Sequence, residues 1–350
     1  MFDSKSEYRI PYAELYGFTL RLLQKTGMGD FGSKCAADAL LNASVRGVDS
    51  HGVARLSRYA KRYSNMQWSD PEVVMDMGAI ALYDGHNYSG FANSTLAMQL
   101  AMEKAEKFGA GIVGVKNSGH YGMASHFSLM APEKEMIGWS FSNAGALMPP
   151  LGSLESVLGN NPWSYAAPSK EGFPIVLDIC NTVVAAGKIQ LAGINGKEIP
   201  PNWAWDIDGN PTTDPKKAME SKLLMPIGDH KGYGITIIID ILCGILTGSA
   251  FANDVKGIEG EVPGTGHFFG AIDIKRFREL DDYYKDLSEM CRRIKGSKKR
   301  PETKEIYLPG EIEDIIQKER MANGIPLTVD VIANINEGAA FLGQEPLLKI

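Results

Sequence analysis

Gly109-Ala110-Gly111-Ile112-Val113-Gly114-Val115-Lys116-Asn117-Ser118-Gly119-His120-Tyr121-Gly122 is the stretch whose reading decides the fold. Its first six residues match GxGxxG, the spacing of a dinucleotide-binding turn. That turn works only between a strand and a following helix, because the helix N-terminus holds the diphosphate. Here the order is reversed. Upstream, Thr95 to Phe108 sets Leu96, Leu100 and Met102 on one side and Glu103, Lys104, Glu106 and Lys107 on the other, which predicts an amphipathic helix. The glycines end that helix, and Gly111 to Val115 reads as a strand that delivers His120 into a tight turn between Gly119 and Gly122. An imidazole in such a turn suits proton transfer to a small ligand.

Downstream, Ser140-Phe141-Ser142-Asn143-Ala144-Gly145 and Gly159-Asn160-Asn161-Pro162 repeat the pattern of an apolar run followed by small polar residues, predicting a cleft lined by several strand ends. Ordinary turns and a structural histidine are the plain alternative. Pro174 to Cys180 reads as another strand, leaving through Asn181-Thr182 toward a helix over Ala185 to Ile189. Gly264 to Phe269 leads into a strand over Ala271 to Ile274, and helices are expected from about Glu279 to Ile294 and from Glu311 to Arg320.

Before the central stretch, Pro11 opens one helix and Ser33 another, ahead of Asp49-Ser50-His51-Gly52-Val53-Ala54-Arg55-Leu56-Ser57-Arg58-Tyr59. Asp49 or Ser50 is expected to cap a helix running to Tyr63. On it His51, Arg55 and Tyr59, four apart, project from one face, as a site for a carboxylate beside a proton-moving group. A wet, charged helix face is the alternative. Further on, His230-Lys231-Gly232 precedes the apolar run Ile235 to Leu246, expected as a buried helix. A lysine at its start opposes the helix dipole, a cost that an anion bound there would offset.

The chain of 350 residues has 36 basic and 42 acidic residues without a basic stripe, which argues against nucleic acid. Cys35, Cys180, Cys243 and Cys291 lie far apart with neither a disulfide framework nor a metal-ligand spacing, as expected of a cytoplasmic protein without a metal. Met1 to Lys5 has no leader-like pattern, and the apolar run near Ile235 is too short to cross a membrane and carries Asp240.

Taken together, four of these stretches, Asp49 to Arg55, Gly119 to Gly122, Gly159 to Pro162 and His230 to Gly234 with its apolar run, resemble the malate/L-lactate dehydrogenase family of NAD(P)-dependent oxidoreductases. The resemblance implies a mixed α/β, non-Rossmann fold with a largely antiparallel sheet and helical N- and C-terminal parts. It divides the chain into a helical part, residues 1–75 joined by 312–350, and a central cofactor-binding and catalytic region, 76–311. It also implies a homodimer. By position, His120 and His51 become the acid/base candidates and Arg55, Ser50 and Tyr59 the substrate-binding residues. Asn143, Asp178, Ile179, Cys180, Lys231 and Pro309-Gly310-Glu311 fall in cofactor-contacting regions, for NAD or NADP. Residues 179–181 read Ile-Cys-Asn where the family has Met-Ala-Thr.

The activity this implies is hydride transfer between nicotinamide and a 2-hydroxy acid/2-oxo acid pair of malate or lactate type. Ureidoglycolate oxidation and imino-acid or diketogulonate reduction are alternatives within the family. Outside it stand a cysteine hydrolase using Cys180, which has no local base, and a noncatalytic nucleotide-binding protein.

Overall fold

In the computed structural model, which describes residues 7–194, 196–257 and 262–349, one seven-stranded sheet forms the centre. Its strands are β1 (Glu72–Met77), β2 (Ile80–Asp84), β3 (Ala110–Ser118), β4 (Met136–Ser142), β5 (Trp163–Ala167), β6 (Ile175–Ile179) and β7 (Thr265–Asp273). They lie in the order β1-β2-β3-β7-β4-β5-β6. Only β2 and β3 pair in parallel, and the other neighbours are antiparallel. A parallel pair needs a crossover, and the helix Gly90–Phe108 supplies it. The fold is thus mixed α/β with a largely antiparallel sheet.

The glycine-rich stretch does what its order demanded. Gly109 closes the crossover helix at φ +91°, a left-handed conformation that glycine adopts without strain. Gly111 then opens β3 where a Cβ would lie 2.0 Å from the Ala101 carbonyl oxygen, so helix and strand approach as no larger residue allows. Met98, Ala101, Val113, Val115, Phe127 and Phe269 fill the space between that helix and the sheet. A second core joins helices Tyr12–Gln24, Gly29–Val45, Leu56–Tyr63 and Val329–Phe341 through Leu15, Leu40, Leu56 and Ile335. An antiparallel pair, Glu7–Ile10 with Ile325–Thr328, ties the two ends of the chain together beside it.

Several local expectations change, and the helix expected from Ser33 begins at Gly29. The crossover helix starts at Gly90, earlier than Thr95. The strand expected from Ala271 already begins at Thr265, taking in His267. Most telling is the apolar run Ile235 to Leu246, expected to be a buried helix. The helix His230–Asp240 and the single π turn Ile241–Ile245 turn Ile239 and Cys243 to Phe141 and its neighbours. Ile238, Ile241, Ile245 and Leu246 are 57, 40, 58 and 62% exposed. An all-round apolar helix has two faces to cover, and the sheet covers one. Met1 to Lys5, read above as lacking a leader, lies outside the described residues. Among the described residues, no helix is long and apolar enough to cross a membrane.

Candidate active site

The segment between Val45 and Leu56 is not one helix. Two short 3-10 turns, Asp49–His51 and Val53–Arg55, precede the helix Leu56–Tyr63. The break falls at Gly52, whose Cβ would sit 2.2 Å from the Ser44 hydroxyl oxygen. That hydroxyl accepts the Val53 N–H (3.0 Å), which docks the turn on the preceding helix. Neither expected cap forms. Asp49 pairs with Arg320 (Nη2 to Oδ2, 3.0 Å), and the Ser50 hydroxyl bonds His51 Nδ1 (2.9 Å). The four-residue spacing therefore does not align His51 with Arg55; the turns do, since Arg55 Nε donates to the Ser50 carbonyl.

His120 follows the end of β3 as expected, and the tertiary fold sets it against this segment. Its Nδ1 lies 2.7 Å from the Tyr59 hydroxyl and accepts the Gly122 N–H (3.2 Å). A backbone N–H only donates, so Nδ1 is an acceptor here and the neutral ring carries its proton on Nε2. The His51 and His120 rings lie nearly parallel, 5.9 Å apart between centroids. Gly187, in the first turn of the helix Ala186–Ile194, closes the other side: a Cβ there would be 3.4 Å from Ser50 Cβ and 3.7 Å from Arg55 Nη2. Ser50, His51, Arg55, Tyr59 and His120 are thus one constellation, with His51, Arg55 and His120 partly accessible.

Burial, and next the Arg55 charge, lowers both imidazoles: His51 to about 3 and His120 well below its ordinary value. Both are neutral at pH 7. Arg58, three residues past Arg55, is itself lowered by burial and then by Arg55, and its charge also acts on His120. Positive charge therefore accumulates beside two neutral imidazoles, an environment suited to an anionic ligand.

The remaining predicted residues form a second group along the edge of the sheet. Asp178, on β6, is exposed yet hemmed in by enough protein to raise its pKa by burial, as expected of a carboxylate in a concavity. One oxygen accepts the Ser125 N–H (2.8 Å), while the buried Arg46 guanidinium acts against the upward shift. Ile179 pairs with Trp163 at the strand's end. Cys180 Sγ lies 3.4 Å from the Thr182 hydroxyl, and among the described residues no histidine is bonded to it. Pro309 accepts the Val176 N–H (3.0 Å), and Glu311 accepts the Leu308 N–H (2.8 Å) and pairs with Lys295, so the 309–311 loop is fastened to β6. Lys231 is exposed in the first turn of its helix. Asn143 differs from these: 1% exposed, its amide donates to Asp240 (3.0 Å) and the Ala250 carbonyl (2.9 Å) and accepts the Gly266 N–H (2.8 Å).

His267, which the motifs above leave out, bonds from within β7 to the carbonyl of Gly119, the residue before His120. A histidine inside an apolar strand was the available signal, because such a ring is buried only when its nitrogens are bonded.

A family model described as malate/L-lactate dehydrogenase matches residues 10–336. A malate dehydrogenase from Pyrococcus abyssi is 38% identical over 349 residues, covering 97% of this chain and 96% of that protein. A malate/(S)-sulfolactate dehydrogenase from Methanothermus fervidus is 32% identical, covering 93% and 96%. The solved structure of malate dehydrogenase from Pyrococcus horikoshii OT3 superposes with a TM-score of 0.90 at 35% identity, covering 99% of each chain.

Proposed function

The chain belongs to the malate/L-lactate dehydrogenase family, and from that premise we propose that it exchanges a hydride between NAD and malate, with His120 as the acid/base. Membership makes it an oxidoreductase acting on a CH–OH group with a nicotinamide cofactor. The observation that carries the finer reading is the meeting of Arg55, Ser50 and two neutral imidazoles in one cleft.

Arg55 spends its Nε on Ser50, which leaves two Nη groups for paired hydrogen bonds to the substrate carboxylate. The N-terminus of the helix at Gly187 adds a favourable dipole for the same anion. Similarity to a malate dehydrogenase and a malate/(S)-sulfolactate dehydrogenase supports malate ahead of lactate, with sulfolactate next. To act as base, the His120 ring places its proton on Nδ1, where the Tyr59 hydroxyl oxygen accepts it, and the bare Nε2 then takes the hydroxyl proton on oxidation and returns it on reduction. Tyr59 serves both directions, since its hydroxyl donates to a bare Nδ1 and accepts from a protonated one. His51, held by Ser50, lines the pocket and orients the reacting oxygen.

Bound NAD supplies the hydride acceptor. The residues fit it: the exposed Asp178 carboxylate can accept from a ribose hydroxyl, Lys231 suits a diphosphate, and the Pro309-Gly310-Glu311 loop with Ile179 and Cys180 walls the same edge. Asn143, its amide wholly engaged, shapes the strand end from behind. A carboxylate at the ribose repels a further phosphate, which favours NAD over NADP.

The exposed stripe of Ile238, Ile241, Ile245 and Leu246 supports a homodimer, and four free cysteines suit the cytoplasm. Sedimentation equilibrium should return twice the 38.1 kDa chain mass; a monomer would remove the dimer reading. The deciding assay is oxidation of NADH and NADPH against oxaloacetate, pyruvate, sulfopyruvate, oxalurate and a cyclic imino acid. Oxaloacetate with NADH should give the highest kcat/KM. Preference for pyruvate or the imino acid would overturn the substrate, and silence across the panel with NADH bound would overturn the reaction.

A further inference from the structure

We propose that His267 is a positioning residue for His120, acting through the Gly119 carbonyl and the Tyr121 ring on either side of it. The inference rests on the reading of His120 as the acid/base.

His267 is wholly buried on β7, the strand between β3 and β4. Its Nε2 donates to the Gly119 carbonyl (3.1 Å), so the neutral ring has a bare Nδ1, which accepts from the Ser142 hydroxyl (3.0 Å). The imidazole stacks on Tyr121 at 4.6 Å and 17°, and Tyr121 in turn stacks on Phe127 at 5.0 Å. One ring therefore grips the residue before His120 by a hydrogen bond and the residue after it by its face. β7 departs from regular pairing with β3 between Thr265 and His267, next to this grip.

The opposite side of the turn is closed too. A Cβ on Gly119 would lie 2.6 Å from the Tyr88 carbonyl oxygen, so the backbone at Gly119 is wedged between Tyr88 and His267. With the peptide clamped, the imidazole of His120 keeps only its side-chain rotations, and Tyr59 and Gly122 fix those. A histidine kept only to fill the core needs satisfied nitrogens and nothing more. Both contacts of this one fall on neighbours of the reacting ring.

The test is a series at 267, read by kcat, KM, NADH binding by fluorescence and Tm. Gln carries a donor about as far from the backbone as Nε2 and can still reach Gly119. Asn places its donor near the Nδ1 position and reaches Ser142 instead. His267→Gln should keep kcat within a few fold, while His267→Asn should lower kcat by about 10- to 100-fold, the cost of a misplaced reacting group. KM and NADH binding should hold in both. Equal kcat in the two variants, loss of NADH binding in step with kcat, or failure of the Gln variant to fold would each overturn the proposal, the last because the fold would then need the ring itself. His120→Gln separates the premises: if it keeps its kcat, the acid/base reading falls and this inference with it. If it is inactive while Gln and Asn at 267 behave alike, only this inference falls.

Discussion

His51 and His120 face each other across 5.9 Å, yet the two sides of the cleft that present them are built differently. The helical side places Ser50, His51 and Arg55 on two short turns docked against helix Gly29–Val45, with an apolar core behind them. The sheet side holds His120 by a polar lattice, in which Ser142, His267 and Gly119 bond in series and Asn143, Asn161 and Asn181 cross-link the neighbouring strand ends. Apolar packing is tolerant of small shifts in a surface turn, whereas a chain of hydrogen bonds with fixed partners specifies orientation. The charge proposed to recognise the carboxylate sits on the helical side, and the ring proposed to move the proton sits on the sheet side.

The sharpest way to break that division is to compare the two histidines. His120→Ala should lower kcat by about 10²- to 10⁴-fold, as loss of a general acid/base does, and His51→Ala by at least tenfold less. Equal losses, or the reverse order measured by steady-state kinetics, would move the acid/base to the helical side. Next in size, Arg55→Lys keeps charge but loses the planar fork, so KM for the acid should rise about tenfold or more while NADH binding holds. An unchanged KM would mean the carboxylate is held elsewhere.

The smallest expected effect concerns stability. Burial leads the downward shifts of His51 and His267 to about 3 and of His126 to about 4, and also lowers His120. The unfolded chain takes up protons near pH 6.5 that the folded chain refuses, so stability is full above that value and is lost as pH falls below it. For the wholly buried His267 alone this amounts to about 2 kcal/mol at pH 5. Asp178 and Asp240, raised by burial, work in the opposite sense and blunt the fall. Calorimetry should show Tm dropping between pH 7 and pH 5; a flat profile would show solvated imidazoles, and with them a looser lattice on the sheet side.

Much of the architecture was legible because its signals are local. Helix, glycines and strand around Gly109 exclude one fold class by their order alone, and His120 follows its strand in the expected turn. Residues 49–55 were misread as one helix, because a spacing of four is silent about a turn that depends on Ser44 standing opposite Gly52. The run Ile235 to Leu246 was misread as buried because hydrophobicity reports that a face needs covering and not whether this chain covers it. His267 went unread for a related reason: its partners come from Gly119 and Ser142, far away along the chain.

From the sequence came the exclusion of a Rossmann turn, because element order and glycine placement are properties of neighbours along the chain, and, through a resemblance carried by motifs, the family, the fold class and the candidate residues of the cleft. The tertiary structure decided which ring nitrogen of His120 is engaged, that Asn143 is turned inward, and that one side of the cleft is packed while the other is bonded. Those depend on contacts such as Tyr59 to His120 and Gly119 to His267, separated by 61 and 148 residues. Strand order and core packing choose such partners together, and no local pattern records that choice.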